Sequence, residues 1–122
     1  MFKKNIFLVI FFGSFYLDAQ PDIQPNEISY GYDEKQKIDF YKGSSDKVLI
    51  WIHGGGWLFG DKRAERWIKR FQNHFINHKD LNIYMIGYRV GEATAPNAVD
   101  DVICAYKKII SDATSKNLST DD

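Results

Sequence analysis

Hydrophobic positions recur along this chain with different periods, and each period predicts a different element. Over residues 27–32 and 37–42 apolar and polar residues alternate: Ile28, Tyr30 and Tyr32 share one parity, Ile38 and Phe40 another. With polar Asp33-Glu34-Lys35-Gln36 between them, these stretches predict a β-hairpin with one face buried. Val48, Leu49, Ile50, Trp51 and Ile52 are consecutively apolar, the mark of a strand covered on both faces, as in a mostly parallel sheet. Residues 63–78 change to helical spacing, with Ala64, Trp67, Ile68, Phe71, Phe75 and Ile76 at steps of three and four and Asp61 as N-cap. Residues 83–88 form another strand-like apolar run. A second helix is predicted from Pro96 to about Asp112, its apolar stripe running from Ala98 to Ile110. Asp100 and Asp101 are expected in its first turn and Lys107 and Lys108 near its end, complementing the helix dipole. Residues 113–122 are polar, with no predicted structure. The order strand, strand, strand, helix, strand, helix predicts an α/β layered sheet that opens with a hairpin.

The first residues stand apart. Lys3 and Lys4 precede an apolar run over residues 6–12 that continues loosely to Leu17, and Ala19 is a small residue suited to cleavage. The run is shorter than the roughly 20 apolar residues of a spanning helix. Residues 1–19 are therefore expected to be a signal peptide and 20–26 a leader loop, leaving residues 27–122 as a secreted or periplasmic domain without a membrane segment after cleavage. Lys plus Arg equals Asp plus Glu at 16 each, and no basic stripe is interleaved with aromatics, so nucleic acid is not an expected partner. The single cysteine, Cys104, forms no internal disulfide and is expected to pack as a small hydrophobe on the second helix.

The candidate chemistry lies at His53-Gly54-Gly55-Gly56-Trp57, directly after the continuous apolar strand. Ligands of open α/β sheets bind at that end of a strand. Glycines let backbone N–H groups approach a ligand closely, and two such groups aimed into a cleft can hold a developing oxyanion. Other constellations are weaker. His74 and His78 stand one helical turn apart, but no carboxylate or third ligand completes a metal site. Residues 55–62 lack the Gly-Lys-Ser/Thr of a phosphate loop, and Asp61 would repel phosphate. No metal or cofactor is expected. Asn117-Leu118-Ser119 fits a glycosylation sequon, relevant only in a glycosylating host.

Residues 48–62, VLIWIHGGGWLFGDK, resemble the oxyanion-loop region of α/β-hydrolase carboxylesterases and lipases of the HGGG type. Residues 83–90, IYMIGYRV, are similar to that family's next strand and Tyr-Arg pair, and residues 96–106, PNAVDDVICAY, to its following helix. The resemblance implies that Gly55 and Gly56 offer the oxyanion N–H groups, that Gly54 permits the turn and that His53 is structural, bonding within the loop. It implies that Trp57 walls the cleft or packs beneath it, and that Arg89 pairs with Asp101. It also implies a small-molecule ester as substrate.

The family's G-x-S-x-G nucleophile elbow is missing from the 122 residues, and its acid and histidine follow that elbow. The expectation is thus an incomplete α/β-hydrolase sheet: an N-terminal hairpin, two parallel-type strands and two helices, without ester turnover. In the family's strand order, 1-2-4-3-5, residues 48–52 become an apolar edge open to self-association or to a missing C-terminal segment. Two other readings fit the same residues. One is a non-catalytic binding module derived from a hydrolase, and the other a subunit completed by a separate C-terminal chain.

Overall fold

The computed structural model describes residues 24–64, 68–70, 79–92 and 94–120. The predicted signal segment, residues 20–23 of the leader and most of the helix predicted over residues 63–78, including His74 and His78, lie outside the described residues.

The sheet contains β1 (Asn26–Ser29), β2 (Lys37–Tyr41), β3 (Val48–Ile52) and β4 (Asn82–Ile86), in the order β1-β2-β4-β3. β1 pairs with β2 and β2 with β4 antiparallel, whereas β3 runs parallel to β4. This is the partial sheet, in the strand order, that the resemblance to α/β-hydrolases implies. β4, Asn-Ile-Tyr-Met-Ile, is buried along its whole length because it is hydrogen-bonded on both sides and covered on both faces. Its alternate residues sort into two cores. Tyr84 and Ile86 join Ile38 and Phe40 beneath one helix, whereas Ile83 and Met85 join Tyr41 on the other face. Each fully buried side chain of this size contributes roughly 1.5–3 kcal/mol. Asn82, at the start of β4, is buried and satisfied: its amide donates to Ser45 O and Lys47 O, and its oxygen accepts from Gly43 N.

The helix α1 (Ala95–Ser115) crosses the first face. Ala98, Ala105, Ile109 and Ala113 line its buried stripe, at the spacing that keeps one helical face inward.

Several expectations are corrected. The hairpin is not buried on one face only. In β2 both Asp39 and Tyr41 are buried, because the segment at Lys62 and Arg63 and the Ile83–Met85 core cover the second face. β3 is covered only in part on its two faces: Val48 and Ile50 pack against one core and Trp51 against the other, but Leu49 and Ile52 stay 42% and 46% exposed, since β3 is the sheet's edge strand. α1 begins one residue before Pro96 and runs past Asp112, so Asp100 and Asp101 fall beyond its first turn and Lys107 and Lys108 well before its last. The dipole complement is therefore absent. Residues 113–120 are structured rather than loose. Asn117 adopts φ 54°, Leu118 N donates to Ala113 O at 3.0 Å, and Ser119 N reaches Asp46 O at 2.8 Å. Asparagine tolerates the left-handed position that closes a helix C-terminus, and Leu118 then folds onto the core. Cys104 is exposed, not packed, because it falls on the outward side of α1.

Candidate active site

The parallel register of β3 on β4 delivers residues 53–60 to the C-terminal end of both strands. Gly55 (φ 138°), Gly56 (φ 59°) and Trp57 (φ 67°) all lie in the left-handed half of backbone space and together make the turn. Gly55 O closes it, accepting from Leu58 N at 3.1 Å and Phe59 N at 3.3 Å. Gly55 cannot be replaced without moving backbone, because a Cβ there would collide with the Phe59 carbonyl. The turn expected at Gly54 is thus displaced by one residue: a Cβ on Gly54 would meet nothing. Among the described residues, neither the Gly55 nor the Gly56 N–H donates a hydrogen bond.

His53 opens the loop and is 2% exposed. Its Nδ1 lies 2.9 Å from Gly54 O. A carbonyl only accepts, so the proton sits on Nδ1, and Nε2 is left without a partner among the described residues. Burial holds its pKa below the ordinary imidazole value, against the opposing pull of the Gly54 carbonyl, so the ring is neutral near pH 7. The ring stacks on Tyr88 with centroids 4.1 Å apart and planes 6° from parallel. The Tyr88 hydroxyl donates to His53 O at 2.6 Å. Trp57 meets Tyr88 edge-on at 5.3 Å, and its carbonyl accepts from Gly91 N at 3.0 Å. Leu58 and Phe59 are more than half exposed beside it, giving the loop an apolar rim.

Arg89 and Asp101 are joined by a fork: Nε to Oδ2 at 2.9 Å and Nη2 to Oδ1 at 2.7 Å. Asp101 is 2% exposed and also accepts from Arg89 N and Gln36 Nε2, at 3.0 Å and 2.8 Å. Burial raises its pKa, but Arg89 and Gln36 outweigh this and leave it below the usual carboxylate value. The pair ties the end of β4 to α1 and to the hairpin turn.

A second polar cluster escaped the sequence reading. Asp39, fully buried in β2, accepts from Lys62 Nζ at 3.0 Å and from Arg63 Nε and Nη2, both at 2.7 Å. Glu27, directly opposite on β1, takes Lys62 at 3.4 Å and Arg63 at 3.0 Å. Asp61 pairs with Lys35 at 2.6 Å and accepts from Arg63 N at 2.8 Å, a contact that closes the turn at residues 61–64. The available signal was an aspartate on an otherwise apolar strand, Ile38-Asp39-Phe40-Tyr41. An acidic residue there needs a cation when covered.

The fold agrees with known proteins. Kynurenine formamidase of Scheffersomyces stipitis is 30% identical over 98 residues, covering 75% of this chain and 36% of that protein. The Francisella virulence factor BioJ superposes with a TM-score of 0.63 at 28% identity, over 95% of this chain and 38% of that one. The S202W/I203F mutant of the esterase E40 shares the fold at a TM-score of 0.55 and 21% identity, covering 75% of this chain and 30% of that one. The chain thus spans a little over a third of the length of its curated relative. The sequence pattern of the BD-FAE family matches residues 38–122, well over half of the chain, so this protein belongs to the BD-FAE family, whose structural relatives have the α/β-hydrolase fold.

Proposed function

We propose that these residues form the oxyanion-holding portion of a carboxylic ester hydrolase acting on small-molecule esters. The single observation that carries this is the pair of amides at Gly55 and Gly56 that donate to no partner among the described residues, set by left-handed backbone at the C-terminal end of a parallel strand. In the complete reaction a serine attacks the acyl carbon, a histidine takes its proton, and negative charge grows on the former carbonyl oxygen. Two adjacent N–H groups stabilise that charge most strongly when nothing else occupies them; losing one such donor costs about 3–4 kcal/mol. A formamide carbonyl passes through the same tetrahedral oxyanion, so the geometry also suits the chemistry named by the formamidase relative.

The 122 residues contain no G-x-S-x-G, so the nucleophile, acid and base come from polypeptide outside them, and this stretch alone turns over no ester. The edge of β3 is where such polypeptide docks, or where copies of this chain associate in its absence. A cavity of about 270 Å³ there is lined by Val48, Ile50, Tyr106 and Ile110. Residues 1–19 act as an export signal, which places the protein in the periplasm or outside the cell.

The test is a ¹H–¹⁵N titration of the chain with a methylphosphonate monoester, a tetrahedral oxyanion mimic, beside a p-nitrophenyl acetate assay. Saturable shifts centred on Gly55 and Gly56, with hydrolysis no faster than buffer, support the proposal. Unmoved glycine amides sink the oxyanion reading, and saturable hydrolysis sinks the division of labour.

A further inference from the structure

We infer that Asp39 is a positioning residue for the glycine loop, acting through Lys62 and Arg63. The inference rests on the oxyanion reading of Gly55 and Gly56.

The loop has two ends and little between them. Its start is fixed by the β3–β4 ladder and by the Tyr88 hydroxyl on His53 O. Residues 54–60 hold their own turn through Gly55 O and touch the rest of the backbone through Gly91 N on Trp57 O. The direction in which the Gly55 and Gly56 amides point therefore depends on where the chain leaves the loop, at residues 61–63.

That exit is held by charge. Glu27 and Asp39 face each other across the antiparallel β1–β2 pair, and like charges in that register repel. Lys62 and Arg63 each bridge both carboxylates. The side chain of Lys62 is only 9% exposed and that of Asp39 not at all, so neither can turn to water if the other leaves. The hairpin is thus a negative socket that accepts two consecutive cations from the loop exit. Dislodging the exit takes both of these cations from Asp39, whose side chain is fully buried, while Glu27 keeps Lys37 at 3.4 Å. Arg63 reinforces the socket with a two-pronged grip on Asp39, a geometry that fixes direction as well as distance.

Amide hydrogen exchange on the ¹⁵N-labelled chain tests this. Leu58 and Phe59 N–H report the loop, and residues 82–86 report the sheet. Asp39→Asn keeps the shape and removes the charge. It is expected to speed exchange at Leu58 and Phe59 about tenfold more than at residues 82–86, the scale of losing hydrogen bonds to a charged group. The Lys62→Met/Arg63→Met pair is expected to do the same, and adding Asp39→Asn to it to give no further selective gain. Should Asp39→Asn fail to fold, the double variant decides alone. Equal acceleration of loop and sheet, or none in either, overturns the inference. Such a result leaves the phosphonate titration of the wild-type chain untouched. Silent glycines in that titration equally leave the exchange result standing.

Discussion

Tyr88→Phe isolates one hydrogen bond at the root of the loop. The variant keeps the ring that stacks 4.1 Å from His53 and meets Trp57 at 5.3 Å, and deletes only the hydroxyl that donates to His53 O at 2.6 Å. Tyr88 is 2% exposed, and so is His53, so water cannot take the hydroxyl's place without opening the site. A typical net hydrogen bond contributes about 1 kcal/mol, and a buried acceptor left unpaired raises the loss to about 1–3 kcal/mol. For a domain of this size each kcal/mol lowers Tm by roughly 4–8 °C, so a fall of about 5–15 °C is expected. Urea unfolding followed by far-ultraviolet circular dichroism gives the free energy directly, and an unchanged slope against denaturant shows that the same surface is exposed. A midpoint within about 0.3 kcal/mol of wild type would refute the reasoning, because it would mean that the His53 carbonyl is satisfied without Tyr88.

Other predictions follow from the same geometry. Gly55→Ala is expected to cost about 1–3 kcal/mol from left-handed strain and the clash with Phe59 O, whereas Gly54→Ala stays within about 0.5 kcal/mol; equal effects would overturn the assignment of the turn. Glu27, His53, Asp61 and Asp101 all have lowered pKa values, so the folded state binds fewer protons than the unfolded chain. Their stabilisation is full above the unfolded values and lost as pH falls. Urea midpoints should begin to drop below about pH 6.5 through His53 and steepen below about 4.5 through the carboxylates. A midpoint flat from pH 7 to 4 would contradict this. At the other extreme, burial raises Tyr41 to about 12 and also raises Tyr30, Tyr84 and Tyr88, so stability should fall as pH climbs past 10. Leu49→Lys places a charge on the open side of β3 and should lower self-association in size-exclusion chromatography while changing stability by less than about 0.5 kcal/mol; a wild-type chain that already elutes as a clean monomer would remove the premise.

Much of the fold was legible because its signals are local. The run Val48-Leu49-Ile50-Trp51-Ile52 can only be an apolar strand, and Asn82–Ile86 repeats the pattern. The i, i+4 stripe through Ala105 and Ile109 announces α1. What periodicity could not give was coverage. Asp39 and Tyr41 look like the wet face of a hairpin until the chain at Lys62 and Arg63 folds across them, and that approach is set by residues more than twenty positions away. The end of α1 was missed for a related reason. Thr114, Ser115 and Asn117 read as loop residues, yet Leu118 closes the helix by packing on a core the local sequence does not display. In the candidate site, adjacent glycines announced a close backbone approach. Which of them carry left-handed torsion emerged only with the clash at Phe59 O. The Tyr-Arg pair marked Tyr88 in the sequence, but its ring contacts with His53 and Trp57 were not legible there, because those partners lie some thirty residues away.

The strand order also sets a timetable for synthesis. β4 is inserted between β2 and β3, so β3 emerges from the ribosome before the neighbour it needs. Until residues 82–86 arrive, an apolar ribbon and its glycine-rich tip wait unpaired, the condition in which nascent chains seek chaperones or one another. β4 is the keystone, paired to the hairpin on one flank and to β3 on the other. Slowing translation between Ile52 and Asn82 would lengthen that wait, and speeding it would shorten the exposure without altering one contact of the finished sheet.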